Sequence, residues 1–237
     1  MKAFPFLLPL SLLGWGVALA QTPNTLSPEE RAQGWQLLFD GHSTEHWRGY
    51  NRETFPEEGW TVEDGALVVL PGGKGGDIIT REQFGNFELQ LDFLLSDSAN
   101  SGIFYLAVEK PGEPIWFNAP EYQLLDNATY RSILGDDLHT HQTGDNYDLH
   151  AAPQDFSKPV GTWNHARILH RDGHVEHWLN GHKVVEYEIG SPDWEERVRN
   201  SKFARYPGYG RAEKGHIGLQ DHNHLVRFRN IKIRRLD

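Results

Sequence analysis

Residues 120–127, with the sequence PEYQLLDN, bring the carboxylates of Glu121 and Asp126 and the amide of Gln123 into a segment that reads as a β-strand. Strand side chains alternate between two faces, so Tyr122 and Leu124 can point into a core. Glu121 and Gln123 then point the other way. Acidic groups on the open face of a sheet do little to build a fold, whereas they are well suited to binding a polar substrate and moving its protons.

Later strands place further polar side chains at the same two-residue period. In residues 216–222, Ile217 and Leu219 form the core side and the alternate positions form the polar side. If these strands share one sheet with Glu121, a single surface gathers acids, amides, an arginine, an imidazole and an indole, which suits a sugar-binding cleft. The candidates for this surface are Glu121, Gln123, Arg167, Glu176, Trp178, Gln220 and His222.

Arg167 and Glu176 also fit a simpler interpretation, a cross-strand ion pair on the polar outer face of an antiparallel sheet. Such a pair contributes little when it is exposed. Both interpretations stay open for these two residues. For Glu121 and His222 the functional interpretation is favoured, because both lie next to loop-like segments where sites cluster.

His139 and His141 are weak candidates for metal ligands. They lie on the same side of an extended segment, and Asp136, Asp137 and Asp145 are close in sequence. No spacing here is diagnostic, and solvated loop histidines are the commoner case. A divalent metal therefore stays open, at these histidines or at a site built from Glu121 and His222, and no cofactor is certain.

The composition favours a carbohydrate partner. The chain of 237 residues has a formal net charge of −10, which argues against nucleic acid as a partner. It contains no cysteine and so uses no disulfide. Its eight Trp, eight Tyr and twelve Phe can fill a core and can also stack on the apolar faces of sugar rings. The oligomeric state is not indicated.

Residues 1–20 have the form of a signal peptide. Lys2 supplies a positive start, residues 4–13 are apolar, and residues 18–20 (Ala-Leu-Ala) resemble a cleavage site. The apolar run is short and broken, so an uncleaved membrane anchor is the less favoured alternative. We expect a mature chain that starts at Gln21, has no stable membrane span, and is soluble in the periplasm or outside the cell.

The remaining chain reads mainly as strands and turns. Residues 21–33 form a lead-in with a short helix after Ser27, and Asp64-Gly65 predicts a hairpin turn. Residues 216–221 and 225–233 are expected to pair around a polar turn. About ten strands with tight turns predict an all-β fold, an antiparallel sandwich of two sheets, as one domain over residues 34–237.

Three long segments interrupt this pattern. They are residues 109–120, 127–162 and 189–214, the last with a short helix expected over residues 193–200. Loops of this length in a compact β-protein are usually functional rims rather than simple connections.

Several segments in order resemble the 3-keto-disaccharide hydrolase family over residues 34–235. The matching segments are GWQLLFDG (34–41) followed by His46-Trp47, NSGIFY (100–105), PEYQLLDN (120–127), GTWNHARI (161–168), HWLNG (177–181), GLQDH (218–222) and FRNI (228–231). The resemblance implies a concanavalin A-like, laminarinase-like jelly roll and cleavage of glycosides already oxidised at C3. Tyr105, in the second segment, joins the substrate-binding candidates. Leu106, Gln142 and Asn223 depart from the family pattern, which has Arg, Arg and Gly there.

The implied chemistry begins at the C3 ketone, which acidifies the proton on C2. The group on C1 can then leave by elimination, and water can add to the resulting enone. Such a site needs a base, a donor or cation at the enolate oxygen, and an acid for the departing oxygen. We expect Glu121 or His222 as the base. We expect Arg167, Gln123 or a metal at the enolate, and Asp126 or a loop histidine as the acid.

Two other functions stay open, a non-catalytic lectin-like module and a conventional endoglucanase. Laminarinase-like enzymes carry paired acids as Glu-x-Asp-x-x-Glu, whereas this chain has Glu121-x-Gln123-x-x-Asp126. Regular alternation also sends Glu121 and Asp126 to opposite faces unless a bulge intervenes. Two-carboxylate hydrolysis, which needs a fixed separation between the acids, is therefore the less favoured chemistry.

Overall fold

The computed structural model of the chain describes residues 22–236. The predicted signal peptide, residues 1–20, lies outside the described residues. No helix in the described range has both the length and the apolar character that crossing a membrane requires.

Strands dominate the described chain, and the helices are short. The helices are α1 (Pro28–Ala32), α2 (Asn127–Leu134) and α3 (Pro192–Asn200), with 3₁₀ turns at Ile115–Phe117, Gly135–Leu138 and Lys202–Arg205. The strands are β1 (Gln36–Leu37), β2 (Trp47–Gly49), β3 (Trp60–Glu63), β4 (Ala66–Val69), β5 (Ile78–Thr80), β6 (Phe87–Leu95), β7 (Asn100–Ala107), β8 (Glu121–Leu125), β9 (Asn164–Arg171), β10 (His174–Leu179), β11 (His182–Glu188), β12 (His216–Leu219) and β13 (Val226–Arg235).

Two antiparallel sheets pack face to face. The larger has the strand order β11-β10-β9-β6-β13-β4-β3, with β1 paired to β13, and the smaller has the order β2-β5-β12-β7-β8. The prediction of an all-β, two-sheet antiparallel jelly-roll sandwich of the concanavalin A type is confirmed.

The core lies between the sheets and follows the two-residue period. In β6, Phe87, Leu89, Leu91 and Phe93 are all buried and belong to the main apolar cluster. Tyr122 of β8 joins this cluster from the smaller sheet and donates a hydrogen bond to the carbonyl of Trp178 across the sandwich, at 3.1 Å. The inner face of β8 is thereby fixed against the larger sheet, and its other face is left for Glu121 and Gln123.

The lead-in helix forms for the local reason that the sequence indicates. Ser27 accepts a hydrogen bond from the Glu30 backbone, and the Glu30 side chain accepts one from the Ser27 backbone. This reciprocal capping box satisfies two backbone donors that a helix start leaves unpaired. The helix ends at Ala32, before Gly34 with its φ of +82°.

The predicted pairing of residues 216–221 with residues 225–233 is wrong. β12 pairs with β5 and β7 in the smaller sheet, whereas β13 pairs with β6 and β4 in the larger one. The turn between them carries the chain across the sandwich instead of closing a hairpin. Alternation cannot separate these outcomes, because consecutive strands have the same apolar period whether they pair or pack face to face.

The prediction of one shared surface is also wrong for Arg167, Glu176 and Trp178. These residues lie on β9 and β10 of the larger sheet, whereas Glu121 lies on β8 of the smaller sheet. In β9, the residues on either side of Arg167, Ala166 and Ile168, are buried in the core. Arg167 therefore points outward, from the opposite side of the sandwich.

Candidate active site

A cleft of about 240 Å³ opens on the outer face of the smaller sheet. Its floor comes from adjacent strands: Gly102 of β7 is directly opposite Gln123 of β8, and the Gln220 backbone donates to the Gly102 carbonyl at 3.0 Å. Directly opposed residues in antiparallel strands share a face, so these positions meet on one surface. The residues lining the cleft are Asn100, Trp116, Glu121, Gln123, Tyr147, Lys202, Gln220 and His222.

Glu121 is the buried acid of this cleft. The residue is only 5 % exposed, and no hydrogen bond to its carboxylate occurs within residues 22–236. Burial raises the pKa of Glu121 to about 8; the positive charge of Lys202 opposes the increase and the negative charge of Asp77 adds to it. A carboxyl group that titrates near neutrality can both accept and return a proton.

Gly102 makes room for this acid. A Cβ at position 102 would lie 2.3 Å from Oε1 of Glu121 and 2.8 Å from its Cγ and Cδ. Gly102 is not a positive-φ glycine, so the requirement at this position is space and not backbone conformation. The Glu121 side chain therefore lies flat across β7.

Two amides in the cleft have oxygen atoms without a partner. Oε1 of Gln123 and Oε1 of Gln220 are buried and accept no hydrogen bond from the described residues. The Gln123 amide nitrogen donates to Asn100 Oδ1 at 3.1 Å, which orients its oxygen. Buried polar atoms are normally satisfied, so these two acceptors are suited to hydroxyl groups of a bound molecule.

Lys202 brings a positive charge to the cleft. Its Nζ lies 4.1 Å from the ring centre of Tyr147, 5.1 Å from that of Trp116 and 5.2 Å from that of Phe203. Burial lowers the pKa of Lys202, and the charge of Glu121 opposes that decrease. Cation–π contacts hold the ammonium without neutralising it.

His222 lies at the exposed rim of the cleft, three residues after the end of β12. Partial burial of its ring, and less strongly the neighbouring His224, lower the pKa of His222 below its usual value. The imidazole is therefore neutral at pH 7 and has one nitrogen that can accept a proton and one that can donate. The expectation that Glu121 and His222 share one groove agrees with this geometry.

Asp77 immediately precedes β5, next to the floor of the cleft. Continuing the β5–β12 pairing by one residue places it opposite Gln220. Its Oδ1 accepts a hydrogen bond from the Asp221 backbone at 3.0 Å. Burial raises the pKa of Asp77 to about 7, and the charge of Asp221 adds to that increase. Asp77 thus provides the negative charge that helps to keep Glu121 protonated.

Asp126, predicted as the acid, does not line the cleft. One oxygen accepts from the Thr129 backbone at 3.2 Å as the N-cap of α2, and the other accepts from the Ser98 backbone at 2.9 Å. These hydrogen bonds keep the pKa of Asp126 below its ordinary value despite the opposing effect of burial. A carboxylate held ionised by backbone donors is suited to capping a helix and poorly suited to donating a proton.

Arg167, Glu176 and Trp178 interact with one another on the opposite side of the sandwich. Arg167 donates to Glu88 at 2.5 Å and lies over the ring of Trp178, whose indole donates to Glu176 at 2.7 Å. The interpretation of Arg167 and Glu176 as part of an outer-face charge network agrees with this arrangement.

Tyr105 is fully buried, so it does not reach the cleft. Its hydroxyl is hydrogen-bonded to Nε2 of His177 and to the hydroxyl of Tyr187. Burial lowers the pKa of His177 to about 3, so this imidazole is neutral. Tyr105 therefore satisfies polar groups inside the core, and its assignment to substrate binding is wrong.

Among the described residues, His139 and His141 belong to no group of three or more possible metal ligands. Nδ1 of His141 contacts the carbonyl of His139 at 3.0 Å, and its Nε2 lies 3.6 Å from Asp148. Within residues 22–236 one group has three ligand atoms close together, formed by His174, Glu176 and Glu186 on the larger sheet. Lys183 already pairs with both of these glutamates.

Another depression, of about 570 Å³, lies around Gly85, His170 and Gly173. It is larger than the cleft, but none of the unpartnered buried polar atoms in the described chain belongs to its lining. His170 already bonds the Gly85 carbonyl at 2.8 Å, and burial lowers its pKa. The groups that could perform chemistry therefore concentrate in the smaller cleft.

Sequence reasoning missed Lys202, Trp116, Tyr147 and Asp77. The first three come from the long segments that were expected to be functional rims, so the position of the rims could be predicted but not their residues. Asp77 follows the glycine-rich stretch 72–76 and precedes an unpredicted strand, β5. Only the strand pairing shows that this carboxylate lies next to the cleft.

Comparison with known proteins adds the family. The sequence model of the 3-keto-α-glucoside-1,2-lyase-like domain matches residues 34–234. The chain belongs to this family. It is 38 % identical over 233 residues to a 3-keto-disaccharide hydrolase of Bacteroides thetaiotaomicron, covering 87 % of this chain and 80 % of that protein. The suspected resemblance is confirmed, and family membership supports a carbohydrate-cleaving enzyme.

Solved structures agree with the fold. One provisionally assigned glycosyl hydrolase of Parabacteroides distasonis has a TM-score of 0.83 at 36 % identity, covering 91 % of this chain and 100 % of that one. A second from the same organism has a TM-score of 0.65 at 32 % identity, covering 85 % and 99 %.

Replacing Asp126 tests its assignment as a helix cap. Asp126→Ala should lower the free energy of unfolding by about 1 kcal/mol, the usual effect of losing an N-cap acceptor. Asp126→Asn keeps an acceptor and should retain most of the stability. Both variants should turn over substrate at close to the normal rate. Chemical denaturation and a turnover assay check this, and a large loss of rate in the Asn variant would restore the acid role.

Replacing Gly102 tests the space needed by Glu121. Gly102→Ala should displace the carboxyl group and lower turnover by about a hundredfold, the scale of a misplacement near 1 Å. Its cost in stability should largely vanish in a Glu121→Ala background, because the clashing atoms belong to Glu121. Thermal unfolding of the two single variants and the double variant measures this coupling. Equal costs in both backgrounds would contradict the proposed contact.

Proposed function

We propose that this protein cleaves glycosides whose sugar is already oxidised at C3, by removal of the C2 proton, elimination at C1 and addition of water. The observation that carries the proposal is the cleft itself. Glu121 is the one carboxylate among the described lining residues, and it is accompanied by amides, an imidazole and a lysine. The Bacteroides relative, named a 3-keto-disaccharide hydrolase, supports the substrate class.

A lone carboxylate fits this chemistry better than direct glycoside hydrolysis. Most glycosidases need two carboxyl groups flanking the scissile bond at a fixed separation. Asp126, the second acid of residues 120–127, is occupied as a helix cap. A ketone at C3 removes the need for that pair, because the carbonyl accepts the electrons that proton removal releases.

Glu121 is proposed as the base. It takes the proton from C2, and the electron pair of that C–H bond moves toward the ketone to form an enolate. When the carbonyl forms again, the C1–O bond breaks and the departing oxygen takes up a proton. A base with a pKa near 8 accepts a proton more strongly than an ordinary carboxylate, provided that it is ionised.

His222 is proposed to exchange the second proton. It follows β12 whereas Glu121 lies on β8, and these two strands flank β7. The two groups therefore approach a ligand from different sides of the cleft floor. A neutral imidazole can take one proton from the incoming water and give one to the departing oxygen. The water oxygen adds to C1, and the proton held by Glu121 returns to C2.

The unpartnered amides are proposed to bind sugar hydroxyls. Gln123 and Gln220 lie on either side of Gly102. Their oxygens can therefore accept hydrogen bonds from neighbouring hydroxyls of one sugar ring. Trp116 offers an aromatic surface at the rim. Together they supply the polar and apolar contacts that carbohydrate recognition combines.

A direct assay separates the proposed function from its alternatives. We expect the protein to cleave a 3-keto-disaccharide and to leave the unoxidised parent disaccharide intact. Product sugars are measured by chromatography under identical conditions. Cleavage of the parent would indicate a conventional glycosidase, and binding without turnover of either sugar would indicate a lectin-like module.

Changing Glu121 tests the base. Glu121→Gln should lower turnover of the 3-keto substrate by at least about a hundredfold, the scale of losing a general base. In the unaltered protein kcat/KM should rise with pH up to about 8, because the base acts only when ionised. A profile that falls through this range would show that Glu121 acts as an acid, and a normal rate in the variant would remove it from the chemistry.

A further inference from the structure

Lys202 has an unusual environment for a lysine at a protein surface. Three aromatic rings lie within 5.2 Å of its ammonium group, and within residues 22–236 no carboxylate lies within 4.0 Å of it. The other lysines at ion pairs contact acids directly, as Lys110 does with Glu113 at 3.6 Å. The charge of Lys202 is therefore held in place but not neutralised.

The position of this charge is fixed by two parts of the chain. The backbone of Lys202 donates to Asp148 at 3.2 Å, and Ser201 caps the following 3₁₀ turn through the Phe203 backbone at 3.1 Å. Trp116, from another loop, has its ring centre 5.1 Å from the Lys202 ammonium. Both loops thus hold the lysine toward the cleft that contains Glu121.

Among the described residues that line the cleft, Lys202 is the one that carries a positive charge. Of the residues lining it, the other titratable side chains are Glu121, Tyr147 and His222. Burial raises the pKa of Tyr147 to about 12 and lowers that of His222, so both are neutral at pH 7. A positive charge that no acid neutralises favours a ligand that becomes negative there.

We propose that Lys202 is a catalytic residue whose ammonium group donates a hydrogen bond to the C3 oxygen and stabilises the enolate. This inference rests on the proposed function and deepens it. Glu121 takes the C2 proton, the released electron pair forms the C2–C3 double bond, and the carbonyl pair moves onto the oxygen beside Lys202. The lysine keeps its three protons throughout. The pair on the oxygen then re-forms the carbonyl, the C2–C3 pair forms a C1–C2 double bond, and the C1–O bond breaks to the departing oxygen, which takes up a proton.

Lys202 takes the role that the sequence suggested for Arg167. Arg167 lies on the larger sheet and bonds Glu88, so it cannot reach the cleft. An aromatic enclosure suits the task because it orients the ammonium without a carboxylate in direct contact. A neighbouring carboxylate would instead hold the charge in the resting protein and weaken its effect on the enolate.

The test is the neutral variant Lys202→Met, with three readouts. We expect kcat for the 3-keto-disaccharide to fall by about a hundredfold or more, the scale of losing a donor to a developing oxyanion. Exchange of the C2 hydrogen in deuterated water, followed by NMR, should slow by a similar factor. The rising limb of kcat/KM should move to higher pH, because the positive charge of Lys202 lowers the pKa of Glu121.

Two further variants control the experiment. Lys202→Arg keeps the charge and should recover part of the C2 exchange rate. Lys110→Met removes a lysine paired outside the cleft lining, so it matches the change in net charge and should leave rate and pH profile unchanged. A merely structural role for Lys202 would change the unfolding midpoint without moving the pH profile.

The outcomes are distinct. If the unaltered protein is active and Lys202→Met shows normal C2 exchange and an unshifted pH profile, the role of Lys202 is overturned. The proposed function then still stands. An unaltered protein that leaves the 3-keto sugar intact overturns the proposed function, and this inference with it. Reductive trapping with cyanoborohydride should leave Lys202 unmodified; a sugar adduct on it would replace the hydrogen bond with a covalent imine and overturn the proposal.

Discussion

The cleft depends on one constraint, the burial of a carboxyl group against the outer face of a sheet. Outer faces of antiparallel sheets are usually wet, and an acid there keeps an ordinary pKa. Glu121 is buried because Gly102 lets it lie flat across the neighbouring strand and because the loops carrying Trp116 and Lys202 close over it. Its raised pKa follows from that burial.

The same burial lowers stability over a definite range of pH. Below a pH of about 4.5 the carboxyl is protonated in both the folded and the unfolded chain, so its burial does not lower the free energy of unfolding through ionisation. As the pH rises toward about 8 the unfolded chain ionises freely while the folded one resists, so the free energy of unfolding decreases. The full effect is on the order of a few kcal/mol. Because the buried Glu121 lowers stability at neutral pH, its presence is better explained by chemistry than by a contribution to the fold.

Much of the fold could be predicted from local patterns. Alternation gave the core-facing residues of β8 and β12 correctly, and the capping residues of α1 gave its start. What failed was the assignment of strands to sheets. The period of β9 and β10 shows which side chains point outward but not from which sheet, so Arg167 and Trp178 were grouped with a cleft on the opposite side of the sandwich. The two-residue period is a property of a single strand, whereas the pairing of strands depends on other parts of the chain.

The candidate site shows where local information ends in a second way. Glu121, Gln123, Gln220 and His222 could be found because they lie on or next to strands with clear alternation. Lys202 could not be found in this way, because its role depends on the rings of Trp116 and Tyr147, which lie far from it in the sequence. The sheet thus supplies the acid and the amides through regular geometry, whereas the long loops supply the charge and the cover. If other members of the fold keep the floor but change these loops, their chemistry should change while the strand motifs persist, and a match of strand motifs alone would then not identify the reaction.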